Sequence, residues 1–83
     1  MDKFRAMGTF VQIADAGSLT AAAWASGTSL PAVVRALAAL EAHLGVRLFH
    51  RTTRSLSLTE EGRQFLDAAQ PGLATLQRAV HGA

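Results

Sequence analysis

The sequence predicts a mainly α fold of four helices, with a two-stranded hairpin between the third and the fourth. Three observations predict it. Apolar residues recur at spacings of three and four in four separate stretches. Glycine and serine, side by side or two apart, punctuate the first three stretches. Between residues 46 and 58 the apolar spacing switches to two, the period of a half-buried strand.

Phe4, Met7, Phe10, Val11 and Ala14 mark one face of a first helix. Gly17 is placed to end it, since glycine accepts the left-handed conformation past a helix C-terminus. Ser18 then caps a second helix, its hydroxyl accepting from the first free amides. That helix carries Leu19, Ala22 and Ala23, and small side chains on consecutive turns let a neighbouring helix approach closely. Gly27 closes it after little more than two turns. Ser29 is the next cap, and Pro31 falls in the first turn behind it, where a missing amide costs nothing. Val33, Leu37, Leu40 and Leu44 repeat at four, three and four as the buried stripe of a third helix, which stops at Gly45. Two helices joined by a tight turn around Gly27-Thr28 have the layout of a helix-turn-helix.

Val46, Leu48, Leu56 and Leu58 alternate with polar residues around the loop Arg51-Thr52-Thr53-Arg54-Ser55. This reads as a two-stranded wing with Arg51 and Arg54 near its tip. Thr59 caps a fourth helix, with Glu60 and Glu61 in its first turn, where the helix dipole favours them. Leu66, Ala69, Leu73, Leu76 and Val80 form a heptad-like seam along it, flanked by Phe65. Pro71 is expected to kink this helix. The expected fold class is therefore a winged helix-turn-helix, a three-helix core plus a two-stranded wing, followed by a long linker helix. The boundary is drawn at residue 59: residues 1–58 are the winged domain and 59–83 the linker or dimerisation helix.

Eighty-three residues make one small domain whose core is marginal alone, and there is no cysteine to staple it. Pairing of two chains through the seam is the expected supplement. The formal net charge is only +2, although the pI is about 10.5. With no tyrosine or cysteine, almost nothing titrates between neutral pH and the lysine and arginine range, so the pI overstates how basic the chain is. Where the charges sit is the better guide. Residues 16 to 34 carry none, yet they are rich in Ala, Ser, Thr and Gly and broken by Gly27 and Pro31, unlike a membrane span. Asp2 and Asp15 are unlike a signal peptide, and a cytoplasmic protein is expected.

No catalytic constellation emerges, and an enzyme is not expected. The acids are scattered over the first, third and fourth helical stretches, and neither a nucleophile elbow nor a phosphate-binding glycine loop occurs. No cofactor is expected, and no metal, since three scattered histidines do not make a site. The third helix is more informative. With Val33 facing the core, Leu30, Pro31, Val34, Arg35 and Ala38 lie outward or on the flank. The second helix of a helix-turn-helix enters the major groove by its N-terminal residues. Arg35 is the side chain there able to read a base, guanine being the usual partner; a phosphate contact is the other reading. Leu30 and Val34 suit thymine methyl groups, although packing against Trp24 or the turn is the favoured reading. From residue 42 to residue 58 there are three arginines and no acid, as phosphate attraction and a minor-groove arginine would require.

Gly17-Ser18-Leu19-Thr20-Ala21-Ala22-Ala23 followed by Ser29-Leu30-Pro31-Ala32-Val33-Val34-Arg35 resembles the helix-turn-helix of LysR-type transcriptional regulators. Leu40-Glu41, the run Leu44 to Arg54 and Leu58-Thr59-Glu60-Glu61-Gly62 extend the resemblance over the whole chain. The resemblance implies binding of double-stranded operator DNA as a homodimer, and as a higher oligomer in the full-length form. It implies DNA contacts at Ser18, Ser29, Leu30, Pro31, Ala32, Val34, Arg35, Arg51, Thr52, Thr53 and Arg54. It implies dimerisation through Phe65, Leu66, Ala69, Leu73, Leu76 and Val80. A small effector would act only through a C-terminal sensor domain that these residues do not include, so an excised domain is expected rather than a natural short form. The family often has glutamine where Leu30 stands, serine where Val34 stands and leucine where Ser26 stands. The competing class is a winged helix used for protein–protein assembly without DNA.

Overall fold

The computed structural model describes residues 3–52 and 55–81, leaving out the side chains of residues 3, 73, 74, 76, 77, 80 and 81. The elements run α1 (Lys3–Ala16), α2 (Leu19–Ser26), α3 (Leu30–Leu44), β1 (Phe49–Arg51), β2 (Leu56–Leu58) and α4 (Glu60–His81). The expected mainly α winged fold is the fold observed.

Local chemistry sets the ends of the first three helices. Gly17 follows α1 and its amide donates to the Ile13 carbonyl at 3.0 Å. The Ser18 hydroxyl accepts from the Ala21 amide at 3.0 Å and opens α2. Gly27, at φ +66°, closes α2 in a conformation that a Cβ would strain. Its amide donates to Trp24 and that of Thr28 to Ala23, at 3.2 and 3.1 Å, which satisfies two of the carbonyls a helix end leaves open. Ser29 accepts from Ala32 at 3.2 Å and starts α3, with Pro31 in the first turn.

One core joins these elements. Phe10 and Ile13 of α1, Ala22 and Ala23 of α2, Val33, Leu37 and Leu40 of α3, and Leu48 and Phe49 at the wing are buried together. Phe10 is the hub. Its ring lies 5.4 Å from that of Phe49 and 5.2 Å, edge-on, from that of Phe65, so α1, β1 and α4 meet on one side chain. Each such ring pair contributes about 0.5–1.5 kcal/mol beyond its buried area.

Three local expectations are corrected. The buried stripe of α1 is Ala6, Phe10 and Ile13, with Val11 and Ala14 at its rim, while Phe4 is 44% exposed. With Phe10 fixed between β1 and α4, the stripe runs one turn back to Ala6 and one turn on to Ile13. Leu44 lies outside the α3 stripe and is exposed, because the chain leaves the helix beside it at Gly45. Strand alternation does not begin at Val46: Val46 is exposed, Leu48 and Phe49 are both buried, and β1 starts at Phe49. A side chain from α3 turns Leu48 inward before the ladder begins, as described below. The ladder is short and antiparallel, pairing Phe49 with Leu58, His50 with Ser57 and Arg51 with Leu56. Pro71 lies inside α4, which runs as one helix of 22 residues.

Candidate nucleic-acid interface

α3 packs by Val33, Leu37 and Leu40, so its opposite face turns away from the core. Leu30, Pro31, Arg35 and Ala38 are exposed, and Ala32 and Val34 are half-buried. Ser29 is exposed at the N-terminus, its hydroxyl engaged as the cap. Ser18 is engaged the same way and half-buried. The sequence favours packing of Leu30 and Val34 against Trp24 or the turn; Val34 is half-buried, whereas Leu30 stays exposed beside an exposed Trp24. Leu30 is 42% exposed and Trp24 is 85% exposed. The two flank a shallow depression rather than closing it.

The hairpin presents Arg51 and Thr52, both exposed. The Thr52 amide donates to the Ser55 carbonyl at 2.9 Å, and the Ser55 amide donates back to the Thr52 hydroxyl at 3.0 Å. The tip is therefore tied across its mouth. Thr53 and Arg54, both expected at the DNA, lie outside the described residues. Arg47, just before the hairpin, adds another exposed cation.

Long-range polar contacts fix how the hairpin sits against α3. The Glu41 carboxylate, in the last turn of α3, accepts from the Leu48 amide at 2.8 Å and the Phe49 amide at 3.4 Å. On the other side, the Thr59 hydroxyl donates to the Arg47 carbonyl at 2.6 Å and accepts from the Gly62 amide at 2.8 Å. The Thr59 amide donates to the Leu48 carbonyl at 3.0 Å. Gly62 then lies so near Leu48 that an added Cβ would overlap its carbonyl oxygen. Hairpin, α3 and α4 thus share one small knot of bonds around residues 47–49.

Neither Glu41 nor Arg47 was among the site residues expected from sequence. One signal for Glu41 was available: an acid in the last turn of a helix stands where the helix dipole disfavours it, so a specific partner is required.

Part of the expected dimer seam is engaged within the chain. Phe65 packs on Phe10, Leu66 is half-buried against the core, and Ala69 is 5% exposed. The side chains of Leu73, Leu76 and Val80 lie outside the described residues. Among the described residues no group of three or more His, Asp or Glu side chains could hold a metal ion. No described helix is long and apolar enough to cross a membrane.

Residues 4–63 match the family model described as bacterial regulatory helix-turn-helix protein, lysR family. The chain belongs to the LysR family. An HTH-type transcriptional repressor of Pseudomonas aeruginosa is 53% identical over 70 residues, covering 84% of this chain and 22% of the repressor. The HTH-type transcriptional regulator TfdT of Cupriavidus pinatubonensis is 40% identical over 77 residues, covering 93% of this chain and 34% of TfdT. The chain thus spans between a fifth and about a third of the length of these relatives, whose names are those of regulators rather than enzymes. Among solved structures, the CbnR DNA-binding domain in complex with DNA is similar at a TM-score of 0.87 and 39% identity. It matches over 93% of this chain and 88% of that one. Full-length AphB of Vibrio cholerae, a virulence activator, is similar at a TM-score of 0.90 and 29% identity, over 96% of this chain and 28% of AphB.

Proposed function

We propose that this chain is the DNA-binding part of a LysR-type transcriptional regulator, with α3 in the major groove of double-stranded DNA and the hairpin at the neighbouring minor groove. The observation that carries the reading is the exposed N-terminal half of α3 beside a hairpin whose charges are all positive, the two held in register by Glu41. The likeness to the DNA-bound CbnR domain supports it. On this reading Ser29, Leu30, Pro31, Ala32, Val34 and Arg35 meet the major groove, and Ser18 steadies α2 beside the backbone. Arg51, Thr52, Thr53 and Arg54 meet phosphates and the minor groove. The chain acts in the cytoplasm, without catalysis or cofactor. Effector sensing and higher assembly are assigned to the part of such a regulator outside residues 1–83.

A gel shift on generic duplex over a salt series tests this. Each phosphate neutralised contributes a slope of about −0.9 to log K against log salt, so the four cations Arg35, Arg47, Arg51 and Arg54 predict about −3 to −4 per chain. Absence of binding, or binding indifferent to salt, overturns the proposal.

The same reading makes residues 59–83 the pairing helix of a homodimer, through the seam continuing at Leu73, Leu76 and Val80. Replacing Leu73 and Leu76 with Asp is expected to give monomers in sedimentation. Dimers that survive the double change would remove the helix from that role.

A further inference from the structure

Trp24 is the only tryptophan of the chain. At 85% exposure it is also the most solvated large apolar side chain among the described residues. An indole left in water is an expensive arrangement unless something covers it. It stands in the last two turns of α2, on a shallow depression lined by Thr20, Ala23, Gly27, Thr28 and Leu30. Leu30 is the first residue of α3, so the depression runs directly into the N-terminus of the helix assigned to the major groove. From residue 16 to residue 40 the sole charge is Arg35, and there is no acid. The surface around Trp24 is therefore apolar and hydroxyl-bearing, with no acid on α2 or on residues 30–40 of α3 to repel an anion.

We propose that Trp24 is a DNA contact, seated on the sugar–phosphate backbone that flanks the groove occupied by α3. The indole face lies against deoxyribose, and the ring Nε1–H donates to a phosphate oxygen. This inference rests on the DNA-binding reading above and deepens it. The chemistry matches on both sides. An indole nitrogen is a donor only, a phosphate oxygen accepts, and a large ring with one polar edge suits a strand whose sugars are apolar between charged groups. Uncharged side chains make many of the phosphate contacts that position a protein on DNA. A second copy of this chain is the other occupant to consider, but continuity with the α3 N-terminus favours DNA. The contact neutralises no phosphate, so it adds affinity without adding salt dependence.

Because there is one tryptophan, the intrinsic fluorescence of the intact chain reports this contact directly. With generic duplex at low salt, emission is expected to change and acrylamide quenching to fall several-fold, saturating at the DNA concentration that saturates the gel shift. Trp24→Phe keeps a ring and loses the donor, and is expected to bind roughly tenfold more weakly with an unchanged salt slope. Trp24→Ala should bind more weakly still. Trp24→Lys should recover affinity and steepen the slope by about one. At this exposure none of the three disturbs packing, and unchanged circular dichroism checks that. A gel shift that forms while emission and acrylamide access stay as in the free chain overturns the Trp24 contact and leaves DNA binding standing. No gel shift overturns the DNA reading and this inference with it. Quenching protection that develops with protein concentration, without DNA, assigns the indole to a second copy and overturns the proposal.

Discussion

The helix pair α2–α3 and the β1–β2 hairpin are assembled by opposite means. Each helix of the pair closes its own ends with bonds between neighbours in sequence: Ser18 to Ala21, Thr28 to Ala23, Ser29 to Ala32. The helices then meet through small or branched apolar side chains, Ala22, Ala23, Val33 and Leu37, with one charge between residues 16 and 40. The hairpin has only three-residue strands, too few to hold together in isolation. Polar bonds spanning seven to twelve residues, from Glu41 on one side and Thr59 on the other, tie its base down. The helix pair owes its position to packing, and the hairpin owes its position to a few directed bonds. Substitutions should therefore weaken the pair gradually but release the hairpin abruptly.

The largest expected effect is at Gly62. A methyl group there meets the Leu48 carbonyl, a backbone atom that cannot rotate away. Gly62→Ala should cost about 3 kcal/mol, the upper end of the usual range for overpacking that forces the backbone to shift. Gly72→Ala, on the same helix with open space around it, is the internal control and should be neutral or slightly stabilising. Denaturant unfolding of the two variants decides the matter. Equal midpoints would mean that α4 and the hairpin are not locked together as described.

Next comes Glu41. Its carboxylate accepts from two amides at the entrance to β1, and bonds to a charged group are worth about 1.5–3 kcal/mol. Glu41→Ala should cost about 2 kcal/mol. Hydrogen exchange should then speed up first at the Leu48 and Phe49 amides, while those of α2 keep their protection. If α2 and the hairpin lose protection together, the hairpin has no separate anchorage and the comparison above fails.

The same contrast explains what the sequence made legible. Helix ends at Gly17, Gly27 and Gly45 and caps at Ser18, Ser29 and Thr59 depend on chemistry within three or four residues, and all could be located from the chain alone. The choice of Ile13 rather than Phe4 for the α1 core depends on where Phe49 and Phe65 arrive, which periodicity does not contain. Consecutive burial of Leu48 and Phe49 contradicts strand alternation because Glu41, eight residues away, dictates the local path. On the candidate site, the outward face of α3 followed from the position of Val33. The solvation of Trp24 did not, since an aromatic beside a turn more often finds cover.

The smallest expected effect tests the helix pair on its own terms. The Ser29 hydroxyl accepts one amide at the start of α3, and Pro31 leaves that turn with one donor fewer to satisfy. Ser29→Ala removes the acceptor, and the cost should be about 1 kcal/mol, the ordinary value of an N-cap. The loss should be local and shallow. Val33 and Leu37 still anchor the helix one and two turns on, so the first turn of α3 frays while the rest of the pair stays packed. Exchange at the Ala32 amide should rise, with Leu48 and Phe49 unaffected, the reverse of the Glu41→Ala pattern. If Ser29→Ala instead loosens the hairpin amides as much as Glu41→Ala does, the caps carry strain across the whole domain. Packing and directed bonds would then not be separable supports in this fold.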